Sequence, residues 1–266
     1  MKVIVCVKQV PDTSGKVAVN PDGTLDRASM QTITNPDDLN AVEAALKLKD
    51  ETGCEVVVVT MGPPPAEGML REILARGADR AVLVSGREFG GSDTYATSQI
   101  IAAAINRIGV EADDIVMCGR QAIDGDTAQV GPQIAEKLHL PQVTYAADIH
   151  KEGDTITVKR MLEDGYMTIK VQTPCLLTCI KELNNPRYMS IGGIYATYSK
   201  PLDTFDYEKL KDHRLIDATT IGLKGSPTNI FKSFTPPQKG VGMMLEGDGK
   251  ETCEKLAGIL AAKHII

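Results

Sequence analysis

DIVMCGRQAIDGDTAQVGPQIAEKL, residues 114–138, contains in one run the unit from which much of this chain is built. It opens with Asp114–Cys118, whose continuous apolar residues are typical of a strand buried on both faces. Residues 128–138 follow a helical period, with Val130 and Ile134 on one face. A polar loop that contains glycine joins the two. The run therefore predicts a strand, a loop and a helix in immediate succession.

The same alternation runs through the first 140 residues. Three further runs rich in β-branched residues predict strands, at Val3–Val7, Glu55–Thr60 and Arg80–Val84. Helical spacing that ends before a glycine predicts helices over residues 36–52, 65–76 and 94–108. Alternating strands and helices of this kind predict an α/β fold with a doubly wound, mostly parallel sheet.

After Pro141 the pattern changes to strands separated by short turns. Polar and apolar residues alternate in the second of these strands, which indicates that one face is partly exposed to solvent. This pattern predicts an added antiparallel or mixed strand region. The predicted strands are Gln142–Asp148, Thr155–Leu162, Tyr166–Gln172 and Cys175–Ile180.

From Asn184 onward the chain is irregular and rich in proline and glycine, and only residues 205–212 and 250–263 have a helical pattern. We therefore expect an α/β domain over residues 1–183 and an irregular loop with an extended C-terminal arm over residues 184–266. An arm that cannot bury its own residues suggests a partner subunit, and a flexible surface arm is the alternative.

Composition excludes several classes of protein. The 266 residues carry 29 basic and 35 acidic side chains, and a net charge of −6 gives no general attraction to nucleic acid. No apolar run approaches the ~18–20 residues of a membrane span. The six cysteines are an ordinary number for a cytoplasmic chain, which is the location we expect. The four histidines are scattered and no catalytic motif is present, so we expect no metal and no catalytic side chain.

The loop over Gly119–Gln133 is the first candidate site. It follows the carboxyl end of a predicted parallel strand, where ligands bind in open α/β sheets. The helix that it opens offers free N–H groups and a positive dipole end to a phosphate. Asp124 and Asp126 would repel a phosphate, so they must face ribose hydroxyls, cap the helix or turn away. The loop favours a nucleotide site, and a capped turn made mobile by Gly125 is the alternative.

Three more loops end at the same predicted sheet edge, after Cys6, after Met61 and at Gly90–Thr94. The last is a glycine-rich turn into a helix and is a second possible anion nest. Neither G-x-G-x-x-G nor the P-loop motif is present, so a nucleotide would bind through a different arrangement. A stand-alone ATP-dependent enzyme would need a glycine loop after the first strand, and Lys8–Pro11 occupies that place.

A segment near residue 190 predicts a contact with another protein. Met189 and Ile191 lie between a proline and a pair of glycines, and Ile194 follows the glycines, as in an apolar anchor on a loop. The alternative is that these side chains fold back onto the core.

Five motifs together resemble the beta subunit of the electron transfer flavoproteins, over nearly the whole chain. They are VCVKQVPD (5–12), NPDDLNAVEAALKLK (35–49), LARGADRAVLV (74–84), GRQAIDGDTAQVGPQIAEKL (119–138) and ELNNPRYMSIGGI (182–194). The resemblance implies an adenine-nucleotide alpha-hydrolase-like fold. It also implies a heterodimer with an alpha subunit whose mobile C-terminal domain carries FAD. In the ordinary carriers of this family the beta subunit holds AMP and the electrons come from acyl-CoA dehydrogenases.

Residues 89–97 and 125–127 resemble the electron-bifurcating branch of the family, in which the beta subunit holds a second FAD. The resemblance then implies NADH as electron donor and a ferredoxin or flavodoxin as one acceptor. The other acceptor is an acyl-CoA dehydrogenase-type flavoenzyme, reached through the alpha flavin. NADH oxidation is expected only in complex with the alpha subunit and the dehydrogenase. Arg120 departs from the Lys of many mitochondrial-type members and keeps the charge with a different geometry.

Matching these motifs to the chain assigns two groups of residues. The docking residues are Arg187, Met189 and Ile191. The cofactor-binding residues are Cys6, Asn35, Asp38, Met61, Ser92, Thr94, Thr97, Gly119, Arg120, Gln121, Ala122, Ile123, Asp124, Gly125, Asp126, Thr127, Ala128, Gln129 and Val130.

Overall fold

The computed structural model of the chain describes residues 1–12, 31–229, 240 and 242–266. Eleven strands lie in these residues: β1 (Lys2–Cys6), β2 (Gln9–Pro11), β3 (Thr32–Thr34), β4 (Glu55–Met61), β5 (Arg80–Val84), β6 (Ile115–Gly119), β7 (Gln142–Glu152), β8 (Thr155–Met161), β9 (Tyr166–Gln172), β10 (Cys175–Cys179) and β11 (Leu202–Phe205).

The same residues contain eight α-helices. They are α1 (Pro36–Thr52), α2 (Ala66–Arg76), α3 (Thr94–Ile108), α4 (Val130–Leu138), α5 (Ile191–Ala196), α6 (Tyr207–Leu210), α7 (Gly222–Gly225) and α8 (Gly249–Ala262). None of these helices combines the length and the apolar composition needed to cross a bilayer.

The predicted doubly wound α/β fold is confirmed. Nine strands form one sheet in the order β11-β5-β4-β1-β6-β10-β7-β8-β9. The first seven of these run parallel to their neighbours, and β7, β8 and β9 pair antiparallel, as the mixed pattern after Pro141 predicted. The chain leaves β1 toward β4 on one side and returns to β6 on the other. The crevice between the ends of β1 and β6 is therefore the switch point at which such sheets bind ligands.

Buried aliphatic side chains on both faces of the sheet explain its continuous apolar strands. One cluster joins β1 and β4 to α1 and α2, and the other joins the opposite faces of these strands to α3 and α4. Four consecutive valines of β4, Val56–Val59, are fully buried and alternate between the two clusters. Because every strand end is fixed by packing on two sides, the loops at the crevice stand on a rigid base.

The structure corrects the prediction for residues 205–212. Phe205 belongs to β11, which pairs parallel with β5 at the sheet edge. The helix is shorter, Tyr207–Leu210, because Asp206 caps it by accepting a hydrogen bond from the Lys209 N–H (2.9 Å). Residues after 183 therefore contribute a strand to the sheet, and the division of the chain at residue 183 stays a prediction. The helix predicted at 250–263 is confirmed as α8, while residues 230–239 and 241 of the arm lie outside the described residues.

Candidate functional site

One buried carboxylate joins the two strand ends at the switch point. Asp38 lies in the first turn of α1, and its Oδ2 accepts a hydrogen bond from the backbone N–H of Lys8 (2.8 Å). Its Oδ1 accepts one from the backbone N–H of Gly119 (2.8 Å). Lys8 follows β1 and Gly119 ends β6, so this single side chain fixes the two strand ends relative to each other.

Burial dominates the electrostatics of this carboxylate. It raises the pKa of Asp38 to about 7, although the two N–H groups and the side chain of Asn35 favour the charged form. Burial also raises the pKa of the neighbouring Asp37, and the guanidinium of Arg120 opposes that shift. The Nε of Arg120 lies 3.4 Å from Asp37 Oδ2. Arg120, an expected site residue, is thus tied to the first turn of α1.

Asn35 determines the shape of the loop that follows β6. It is fully buried, its Nδ2 donates to the carbonyl of Gln121 (2.8 Å), and its Oδ1 accepts from the N–H of Ile123 (3.1 Å). The loop backbone therefore follows the side chain of a residue more than 80 positions earlier in the chain. An amide that satisfies both a donor and an acceptor of a loop holds it in one conformation.

Two residues of this loop have backbone strain. Asp126 and Ala128 adopt positive φ angles of 49° and 52°, a region that costs a residue with a Cβ about 1–2 kcal/mol. Neither position is a glycine, so the surrounding contacts must hold the backbone in place. Strained backbone is concentrated at ligand-binding loops.

The acidic residues of the loop are engaged within the chain. Both carboxylate oxygens of Asp124 lie 2.8 Å from Lys8 Nζ, and Asp126 Oδ1 accepts a hydrogen bond from Gln121 Nε2 (2.8 Å). The sequence left open whether Asp124 and Asp126 face a ribose, cap the helix or turn away. In the structure the carboxylates of both residues bind side chains of the chain itself. Their repulsion of a bound phosphate is correspondingly reduced.

The N-terminus of α4 has no side-chain cap. Gln129 stands at the capping position without a capping hydrogen bond, and Gln133 in the first turn has a buried Oε1 with no partner. The loop does contain a turn, in which the N–H groups of Gly125 and Asp126 donate to the Ala122 carbonyl, but no side chain caps the helix that follows. Thr94 Oγ1 donates to Gln129 Oε1 (2.9 Å) and brings the start of α3 beside the start of α4. This uncapped N-terminus fits an anionic ligand.

The second possible anion nest, at Gly90–Thr94, is occupied by the chain itself. Asp93 caps α3 by accepting from the Ala96 N–H (3.0 Å), and it also accepts from the Thr228 N–H (2.9 Å). Ser92 Oγ donates to the Phe89 carbonyl (2.8 Å) and accepts from the Gly222 N–H (3.1 Å). The hydroxyl of Ser92, expected at the nucleotide, is thus engaged with the C-terminal arm.

The remaining expected residues occupy the edges of the site. Cys6 ends β1 beside Cys118 of β6, and burial raises its pKa to about 12, so its thiol stays protonated. Met61 ends β4 half-buried, and Thr97 lies one turn after Thr94 on α3. The structure therefore brings Cys6, Asn35, Asp38, Thr94 and the loop over 119–130 to one sheet edge.

The segment near residue 190 is exposed, as the docking interpretation predicted. Ile191 is 78% exposed, and Met189 and Ile194 are also exposed, so the alternative that they fold back onto the core is wrong. Sequence reasoning missed the tyrosines at 188, 195 and 198, of which Tyr188 is 92% exposed. We call residues 188–198 the docking segment.

Arg187 has a different place from the one expected. Its guanidinium binds Glu43 and Asp50 of α1 instead of projecting outward with the apolar residues. The residue expected to contact a partner thus forms the base of the docking segment.

Comparison with known proteins gives consistent matches. A family model described as "Electron transfer flavoprotein domain" matches residues 22–210. The chain is 70% identical over 267 residues to the acryloyl-CoA reductase electron transfer subunit gamma of Anaerotignum propionicum. It is 52% identical over 269 residues to subunit CarD of the caffeyl-CoA reductase-Etf complex of Acetobacterium woodii. It is 48% identical over 267 residues to the electron transfer flavoprotein subunit beta of Clostridium acetobutylicum. All three matches cover 100% of both chains.

Proposed function

The chain belongs to the electron transfer flavoprotein family as a subunit of the beta type, and from this premise we propose that its crevice between β1 and β6 holds FAD. The chain works in a heterodimer with an alpha-type subunit that carries its own FAD. The heterodimer takes electrons from NADH and delivers them to a ferredoxin or flavodoxin and to an acyl-CoA dehydrogenase-type flavoenzyme. This work takes place in the cytoplasm.

The observation that carries the proposal is the uncapped N-terminus of α4 beside Thr94. Its free N–H groups would hold the phosphates. Thr94 at the start of α3 and Gln129 at the start of α4 add a hydroxyl and an amide beside those N–H groups. The Lys8–Asp124 pair and the Gln121–Asp126 hydrogen bond keep negative charge from facing those phosphates unpaired.

When bound, FAD would supply hydride acceptance and one-electron transfer. The chain's own residues bind the nucleotide and orient it. Asp38 and Asn35 fix the loop, and α4 directs its positive end at the ligand. The thiol of Cys6 stays protonated, because burial raises its pKa to about 12.

The relatives narrow the choice of electron acceptor. The relative that is 70% identical is named as an electron transfer subunit of an acryloyl-CoA reductase. We infer that this chain likewise serves an acyl-CoA reductase of the acyl-CoA dehydrogenase type. The acryloyl-CoA reductase component from Anaerotignum propionicum is therefore a suitable test partner.

A second candidate function is an electron carrier whose beta subunit holds AMP and takes electrons from acyl-CoA dehydrogenases. The observation that favours it is the occupied N-terminus of α3, where Ser92 and Asp93 bind the C-terminal arm. With that terminus filled, fewer free N–H groups remain for the second phosphate of FAD than for the single phosphate of AMP.

Cofactor content decides between the two candidates. The heterodimer, purified and then denatured, should release two FAD and no AMP, as measured by chromatography against standards. One FAD and one AMP would exclude the bifurcating function and keep the site. If neither nucleotide belonged to the beta chain, the site assignment would be wrong.

An Asn35→Ala variant tests the site itself. It removes both hydrogen bonds that shape the loop, so affinity for the beta nucleotide should fall about tenfold or more. The alpha flavin should remain at one per heterodimer. Asn185→Ala, at an exposed asparagine outside the site, is the matched control. Equal nucleotide content in the two variants would contradict the role of Asn35.

A further inference from the structure

A buried carboxylate lies in the middle of α1 and serves none of the contacts of the nucleotide site. Glu43 is 5% exposed. Its Oε2 accepts hydrogen bonds from the backbone N–H (3.0 Å) and the Nε (2.8 Å) of Arg187, and its Oε1 accepts one from Arg187 Nη2 (3.0 Å). One glutamate therefore fixes both the main chain and the guanidinium of the residue that precedes the docking segment.

Further contacts fix the same point. Asp50 Oδ2 accepts from Arg187 Nη2 (2.8 Å), and Arg76 Nη1 donates to the Arg187 carbonyl. One turn before Glu43, Asn40 Nδ2 donates to the Asn184 carbonyl (2.7 Å), and Asn184 Nδ2 donates to the Asn40 carbonyl (2.9 Å). Residues 184–187 are thus held along α1, and the chain becomes exposed at the next residue.

The far end of the docking segment is fixed on α2. Thr197 Oγ1 donates to the Arg71 carbonyl (2.9 Å), and Arg71 Nη1 donates to the Thr197 carbonyl (2.9 Å). Gly193 lies so close to the Ala75 carbonyl that a Cβ at this position would clash with it. The segment therefore spans two fixed points, with Tyr188, Ile191 and Tyr195 exposed between them.

A buried ion pair is weak evidence for a contribution to stability, because desolvation cancels most of its Coulomb energy. Such pairs are better suited to selecting one geometry. We propose that Glu43 is a positioning residue, which sets through Arg187 the point and direction at which the docking segment leaves α1. The inference rests on the proposed docking function. The partner that it serves is a flavoenzyme whose surface accepts the tyrosine and isoleucine side chains.

The test measures electron transfer from the heterodimer to the acryloyl-CoA reductase component named above. Glu43→Gln keeps the size of the side chain and removes its charge. We expect KM for the reductase component to rise about tenfold and kcat to stay within about twofold, because the docking segment loses its fixed direction. Amide hydrogen exchange over residues 188–198 should become faster. Glu51→Gln, at an exposed glutamate of the same helix, should change neither quantity.

Arg187→Lys is the second variant, in case Glu43→Gln fails to fold. It keeps a cation beside Glu43 but loses the planar fork, and we expect the same KM effect with a smaller magnitude. Ile191→Ala separates the two levels of the proposal. If Ile191→Ala leaves KM unchanged, the docking function is wrong. If Ile191→Ala raises KM while both Glu43→Gln and Arg187→Lys leave KM and exchange unchanged, the positioning role alone is wrong.

Discussion

In Asp38, burial and hydrogen bonding act in opposite directions on the pKa of one carboxyl group. Burial, with a smaller contribution from the charge of Asp37, raises the pKa from 3.8 to about 7 against the N–H groups of Gly119 and Lys8. Between these two values the folded chain binds more protons at Asp38 than the unfolded chain does. The stabilisation from this group is therefore complete below about pH 4 and is lost as the pH rises through about 7.

We expect this group to lower the free energy of unfolding by about 1–3 kcal/mol between about pH 5 and about pH 8. Urea unfolding at several pH values in that range gives the free energy of unfolding of the wild type and of Asp38→Asn. The effect is the difference between the two proteins in how steeply this free energy changes with pH. The wild type should lose stability with rising pH more steeply than the variant. Parallel pH profiles would show that Asp38 titrates as an ordinary exposed carboxylate.

The sequence predicted single residues of the site unevenly. Asn35 and Asp38 were assigned only through the family motif, because polar residues in the first turn of a helix have an ordinary explanation as caps and dipole partners. The Lys8–Asp124 pair was not predicted, because it joins residues 116 positions apart and no local pattern encodes it. The tyrosines of the docking segment were visible in the sequence, but nothing distinguished them from core aromatics.

At the level of elements, α1 and β6 meet at Gly119. A Cβ there would clash with Asp38 Oδ1 and lie 2.7 Å from both the carbonyl carbon of Asp37 and the backbone nitrogen of Asp38. Gly125, in the same loop, has nothing within 4 Å of the corresponding position. The close approach of helix and strand that places Asp38 under both strand ends therefore requires glycine at 119 and not at 125.

Two alanine variants test this packing. Gly119→Ala should destabilise the chain by about 2 kcal/mol or more and reduce nucleotide retention, because backbone atoms must move to admit the methyl group. Gly125→Ala should stay within about 0.5 kcal/mol of the wild type. Chemical denaturation and cofactor content measure both effects. Equal stability of the two variants would contradict the contact between α1 and β6.

Element periodicity explains why most of the first 140 residues could be predicted. Strands buried on both faces and helices with proline and glycine boundaries leave strong local patterns. The edge strand Leu202–Phe205 left none, since only Phe205 in it is buried. Its place is set by hydrogen bonds to β5, which lies more than 110 residues earlier in the chain. Edge strands of this length are determined by tertiary pairing and not by composition.

At the level of the whole molecule, the described residues pack around the sheet and leave apolar side chains exposed in several places. The docking segment is one of these places. Another is α8, in which no residue is buried, Leu256 is 46% exposed and apolar residues recur along the helix. A helix with an exposed apolar face has the pattern of an interface element. The sequence predicted an arm that does not bury its own residues, and this is wrong for Phe205, Leu210 and Ile221, which are buried. It holds for α8, in which no residue is buried.

Removal of residues 249–266 tests whether α8 serves assembly with the alpha-type subunit. Because no residue of α8 is buried, the circular dichroism spectrum of the truncated chain should lose only the signal of one helix. Its Tm should stay within about 2 °C of the wild-type value. Its affinity for the alpha-type subunit should fall about tenfold or more, as measured by calorimetric titration. Leu256→Ser is a milder variant that should weaken assembly less, and Lys250→Ser on the same helix controls for the change of surface. Undiminished affinity of the truncated chain would show that α8 lies outside the subunit interface, and a large loss of Tm would show that the helix stabilises the fold itself.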